Sequence, residues 1–277
     1  MASVRPAAVA GSFYPAAVQE LNSLLDDCFN HSPLGPLGPV SPTADLIAAL
    51  VPHAGPIYSG PCAAHVYARL DPSIRHVIII GVNHRGFGHR AALSPWQSWR
   101  TPLGEVAVDD ALNQSLEARL PWLEREPNAH LNEHSIEIQL PFLQRILSEF
   151  EFTPISLARI STDECAALGD ALAEYARDHE KTLILASSDL SHYLSPRQTD
   201  HLDRLAIDQV LALNPRGLFE VTAERNIAMC GVIPTATMLF AARSLGAKHA
   251  TLLKHCHSGD IAPMPKVVGY ASVALSI

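Results

Sequence analysis

Positive charge is the first thing this chain is short of. Its 277 residues include 20 lysines and arginines against 28 aspartates and glutamates, a formal charge of -8, with no basic cluster anywhere. Nucleic acid and anionic membrane are held through concentrated positive charge, so neither is expected as a partner. Long apolar runs are missing too. No stretch approaches the roughly 18 apolar residues of a membrane span. The segment Met1–Pro15, with an early arginine and an apolar tract broken by Gly11, does not read as a secretory signal. Cys28, Cys62, Cys165, Cys230 and Cys256 are odd in number and scattered, without CxxC spacing. That is the pattern of a reducing compartment and not of a disulfide framework. No HExxH motif, internal repeat or low-complexity tract occurs, and the Pro- and Gly-containing segment 31–43 is too short for a domain linker. The expectation is a cytoplasmic globular protein of one domain, residues 1–277, large enough for a substantial core.

What is present is hydrophobic residues, 48% of the chain, in two alternating patterns. Short apolar runs bounded by polar or turn residues predict strands at 46–51, 77–80, 152–157, 182–186, 251–255 and 267–275, with short strands between 91 and 108. Helical spacing predicts helices at 15–30, 59–70, 109–120 (capped by Asp109), 132–147, 162–179, 196–213, 216–225 and 235–245. Strands alternating with helices predict an α/β domain.

Histidine is plentiful, with 14 residues, and three of them follow predicted strands. His53 ends Leu46–His53, His84 follows His76–Asn83, and His192 closes Ala186-Ser-Ser-Asp-Leu-Ser-His192 with Asp189 three residues before it. In open α/β sheets ligands bind at the carboxyl ends of strands. His53, His84 and Cys230 each lie in a glycine-containing segment at the edge of an apolar element. Imidazole and thiolate suit iron, zinc or copper, and three ligands leave positions open for a substrate. Asp189 and His192 read as a carboxylate and an acid/base beside that site; the alternative for Asp189 is a turn cap. His134 and Glu137, three apart on the predicted helix 132–147, read either as ligands or as a hydrogen-bonded pair bracing the site from behind. His255, Cys256 and His257 read as ordinary strand residues, and Cys62 with His65 as packing.

The motifs Arg5–Pro15, Pro52–Gly60, Gly81–His84, Glu133–Glu137, Ser187–Tyr193, Met229–Pro234 and Gly269–Ser272 occur in this order along nearly the whole chain. Together they resemble the Memo family, including its bacterial branch, the AmmeMemoRadiSam system protein B. The resemblance implies a three-layer sandwich with a central mixed sheet and helices on both faces, similar to class III extradiol dioxygenases. Those enzymes hold non-heme Fe(II) with two histidines and a carboxylate, which Memo proteins replace by a cysteine. The resemblance therefore implies His53, His84 and Cys230 as metal ligands, with Asp189 and His192 lining the pocket. Pro56 and Val82 stand where the family usually has an aromatic residue and a proline.

Three functions compete on these grounds. The preferred one is a metal-dependent redox protein, with Fe(II) first and copper or zinc after it, acting on O₂ and a small substrate. A radical SAM protein is an expected partner of the bacterial branch. The second is a thiol enzyme with Cys230 as nucleophile, His192 as base and Asp189 as the orienting group. The third is a metal- or partner-binding protein without catalysis.

Overall fold

The computed structural model describes residues 3–43 and 45–277, so Met1 and Ala2 of the N-terminal reading lie outside it. Six strands carry the architecture: β1 (Leu46–Val51), β2 (His76–Val82), β3 (Glu151–Leu157), β4 (Thr182–Ser187), β5 (His249–His257) and β6 (Val267–Ser276). The first four lie side by side in the order β3-β2-β4-β1, all parallel. β6 joins β1 antiparallel and pairs along its length with β5, which makes the sheet mixed. Short strands within 91–108 extend the other edge, two of them joined by a turn at Pro102–Leu103.

The parallel strands are apolar on both faces because both faces are covered. Ile78 and Ile80 point into one core and Val77 and Ile79 into another, as the two-residue period of a strand requires. Helices α1 (Val18–Asp26), α2 (Pro56–Tyr67) and α4 (Gln139–Ile146) cover the second face. Helices α3 (Asp110–Arg119), α5 (Thr162–Asp178), α6 (Pro196–Leu211), α7 (Pro215–Glu224) and α8 (Val232–Ser244) cover the first. Three layers result, as expected.

Most boundaries fall close to the sequence reading, and the departures have local causes. The first helix stays α-helical only to Asp26 and widens into a π-helical turn at Asp27–His31. α2 starts three residues early because Pro56 fits the first helical position, where its missing N–H is no loss. The helix expected at 132–147 begins only at Gln139. Pro141 is the reason: it is tolerated in a first turn, whereas a helix begun at residue 132 would set it in the interior. Residues 132–138 form turns instead, and that frees Glu133 and His134 for other work. Asp109 caps α3 as predicted, its Oδ1 accepting the Leu112 N–H at 2.9 Å. No helix among the described residues is long and apolar enough to cross a membrane.

Candidate metal centre

Since β1, β2 and β4 run in parallel, the residues that follow them emerge together at one edge. His53 comes two residues after β1, His84 two after β2 and Asp189 two after β4. His53 is buried, with 1% exposure. Its Nδ1 lies 2.9 Å from Ser187 Oγ. The Ser187 hydroxyl donates to the Ser135 carbonyl at 2.7 Å and accepts from Gln139 Nε2 at 2.9 Å. With that proton already committed, His53 Nδ1 must be the donor, which leaves the lone pair on Nε2. Gln139 is itself fixed by the Tyr67 hydroxyl and the Pro52 carbonyl. Burial, and then the neighbouring His134 and His84, hold the His53 pKa well below its ordinary value, so the ring is neutral.

One carboxylate orients the other two imidazoles. Glu133 Oε1 lies 2.9 Å from His84 Nδ1 and 3.2 Å from His134 Nδ1. The backbone N–H groups of His84, His134 and Ser135 donate to the same carboxylate. Burial alone would raise the Glu133 carboxyl, but the bonds from His134 and His84 hold it well below the usual carboxylate range. It is ionised and can only accept, so His84 carries a proton on Nδ1, and His134 Nδ1 faces the same oxygen. The His84 and His134 rings stack at 4.7 Å, and His53 stands edge-on to them at 5.0 and 5.3 Å. One ring nitrogen from each histidine lies within 4.8 Å of the others. The tight approach of the 135–136 turn to β2 needs Gly81, where a Cβ would lie 2.5 Å from Ile136 and 2.6 Å from Ser135.

Cys230 enters from the other side. Its Sγ lies 3.2 Å from His53 Nε2 and accepts the Asp189 N–H at 3.3 Å. Gly231 permits this, since a Cβ there would lie 2.4 Å from Ser188 Cβ. The structure thus gathers His53 and His84 with His134, read from the sequence either as a ligand or as a brace, and sets Cys230 against His53. Among the described residues the two triads of donors within 4.8 Å are His53–His84–His134 and His76–Asp109–Glu151. The chemistry of the donor set fits a transition metal: three clustered imidazoles, with one sulfur adjoining His53.

Asp189 and His192 stand nearby in distinct roles. Asp189 Oδ1 accepts the N–H groups of His53 and Ala54 at 2.8 and 3.2 Å, so it does cap a turn, and the turn it fixes carries His53. Burial raises its carboxyl above the ordinary value, against the pull of the His53 hydrogen bond. His192 Nδ1 lies 2.7 Å from the Leu190 carbonyl and 2.8 Å from the Ala228 carbonyl, so Nδ1 holds the proton and Nε2 is free. The thiol-enzyme reading loses support here. The imidazole beside Cys230 is His53 and not His192, and burial followed by the Asp189 charge pushes the thiol up, away from a thiolate.

Glu137 needs a correction, because it does not back the histidines. It is fully buried and turned toward the N-terminal segment. Its oxygens accept from Arg5 at 2.5 Å, Ala8 N at 2.8 Å, Val9 N at 3.0 Å and Tyr14 Oη at 2.7 Å. The expected helix would have set it beside His134; the 132–138 turns separate the two. Sequence reading also passed over Glu133, Ser187 and Gln139. The one available signal was Glu133 directly preceding a histidine in a predicted amphipathic segment. His255 bonds Asp203 at 3.0 Å, and Cys62 packs with Cys256, in keeping with structural roles.

An α/β sheet that gathers three imidazoles, a cysteine and a carboxylate at the ends of its parallel strands defines a candidate metal-site protein. Comparison places it within a family: a sequence model described as Memo-like protein matches residues 5–274, and the chain belongs to that family. A MEMO1 family protein of Methanopyrus kandleri is 39% identical over 278 residues, covering 97% of this chain and 98% of the relative. One from Ignicoccus hospitalis is 40% identical over 284 residues, covering 98% of each. The crystal structure of an uncharacterized protein from Escherichia coli shares the fold at 12% identity, with a TM-score of 0.56 over 83% of this chain and 99% of that one.

Proposed function

We propose that this chain is a metal-dependent redox protein whose ion, iron first and copper second, is held by Nε2 of His53, His84 and His134 with Cys230 adjoining. The reading rests on one observation: a ring nitrogen from each of three imidazoles lies within 4.8 Å of the others, with Nδ1 of His53 and His84 bonded to Ser187 and Glu133 and Nδ1 of His134 3.2 Å from Glu133. Bound there, such an ion would offer open positions to O₂ and a small substrate.

The residues around it have separable tasks. Glu133 and Ser187 fix tautomer and ring orientation and make the nitrogens better donors. His192, with Nδ1–H tied to two carbonyls, has Nε2 available to take a proton from a substrate hydroxyl and return it. Asp189 holds the His53 turn. Phe13 packs its ring 4.7 Å from that of His134.

The test is the metal content of untagged protein purified anaerobically, for wild type, His53→Ala, His134→Ala and Cys230→Ala. A single equivalent of iron or copper in wild type, lost in His53→Ala, supports the centre, and O₂ uptake by the loaded protein supports the redox role. Wild-type protein that retains no metal when dialysed against iron or copper sinks the proposal.

A further inference from the structure

The second donor triad lies at the opposite end of β2. From His76 to Val82 is six residues of strand, or about 20 Å, so it is separate from the histidines described above. His76 and Glu151 open β2 and β3 and are paired in register across the parallel ladder. Asp109 is brought to them by its own N–H, which donates to the Phe152 carbonyl at 2.9 Å. One donor atom from each of His76, Asp109 and Glu151 lies within 4.8 Å of the others.

Charge is the second observation. Asp109 is only 4% exposed. Its Oδ1 caps α3, and its Oδ2 has two neighbours: the Tyr175 hydroxyl, and His76 Nδ1 at 3.6 Å. Among the described residues neither Asp109 nor Glu151 has a lysine or arginine within 4.0 Å. A buried carboxylate normally has a cation or a metal beside it. A further imidazole is close. The His179 ring stacks on Tyr175 at 3.9 Å and stands 5.6 Å from the His76 ring; its Nδ1 bonds the Tyr175 carbonyl, so Nε2 is free. A cavity of about 730 Å³, lined by His76, Glu151, Glu105 and Gln144 among others, opens beside the group and gives an ion access.

We propose that His76, Asp109 and Glu151 form a second divalent-cation site, with His179 in reach as a fourth ligand. One or two imidazole nitrogens with carboxylate oxygens are a zinc-type set. The ion would tie the starts of β2 and β3 to the N-terminus of α3 and the C-terminus of α5, and so would stabilise the amino-terminal edge of the sheet.

The probe is zinc alone, titrated calorimetrically into full-length His53→Ala protein, with His84→Ala as a second background should the first not fold. The expected result is one equivalent bound, accompanied by a higher melting temperature. Adding His76→Ala or the isosteric, exposed Glu151→Gln should weaken binding by at least about tenfold. No zinc bound by either background overturns the proposal while leaving the three-histidine centre standing. Unchanged affinity in both added variants also overturns it. A single wild-type equivalent that survives His53→Ala and is lost in His76→Ala supports this site and removes the other.

Discussion

Two polar clusters meet on the segment 130–139, one closed and fully buried, the other partly open. Around Arg5 every valence is filled. Its guanidinium donates to Glu137 Oε2, to the carbonyls of His130 and Glu133 and to that of Pro6, and lies 3.9 Å from the Trp99 ring centroid. Glu137 in turn accepts from Arg5, Ala8, Val9 and Tyr14. Around Glu133 the carboxylate is equally well supplied, but among the described residues His84 and His134 end in Nε2 atoms without a protein partner, and His53 Nε2 meets only the Cys230 sulfur. A closed network pins the N-terminal segment to the body of the protein and has nothing left to bind with. An open one has unspent lone pairs, which is what a ligand site needs. Arg5 and Glu137 are fully buried while His84 and His134 keep part of their surface open, so access and free valences together separate staple from site.

Breaking the closed cluster should have the largest effect. Arg5→Ala leaves Glu137 as an unpaired buried charge, and chemical denaturation should show a loss of about 3–5 kcal/mol. Equal stability for Arg5→Ala and wild type would mean that the N-terminal segment is not pinned as described. The open cluster should behave in the opposite way: His53→Ala costs little in metal-free protein but removes stabilisation by metal. That stabilisation is about 2.7 kcal/mol for wild type at a hundredfold excess over Kd, read as a shift in melting temperature. Glu133→Gln keeps the shape yet weakens the orientation of His84 and His134, so metal affinity should fall about ten- to a hundredfold. A titration with Fe(II) or Cu(I) measures this, and unchanged affinity would deny Glu133 its role.

The smallest effect is a pH slope. Burial and the nearby Arg5 lower the His130 pKa to about 3. The unfolded chain, with an ordinary histidine pKa of about 6.5, then binds more protons between the two values, so stability falls as pH drops through that window and is level above it. Each pH unit accounts for at most about 1.4 kcal/mol. Glu133 acts in the same direction at lower pH. Its depressed carboxyl contributes stability above about pH 4.3, the unfolded value, and loses it as acid protonates the folded form. His130→Gln should flatten the slope between pH 6 and 4 in urea melts; a slope left unchanged assigns it to other groups.

Much of this was legible in the chain. Apolar runs such as Val77–Ile80 mark strands because a strand covered on both faces must be apolar at every position, and the residues that follow them, His53, His84 and Asp189, have to emerge at one edge once the strands are parallel. The motif order carried the family. The roles of His134, Glu133 and Glu137 were not legible, since they depend on where a helix starts, and helical spacing overrode the signal of Pro141. Nor could spacing tell that Cys230 meets His53 alone, because its approach depends on packing against Ser188 from a segment some forty residues away. Sequence by itself determined the alternation of strands and helices, the strand ends and the kinds of donor available, for these follow from periodicity and residue chemistry, while the layers came from the family resemblance. Only the tertiary structure decided which lone pairs stay free, because a histidine's tautomer is set by the acceptor that folding places against its other nitrogen.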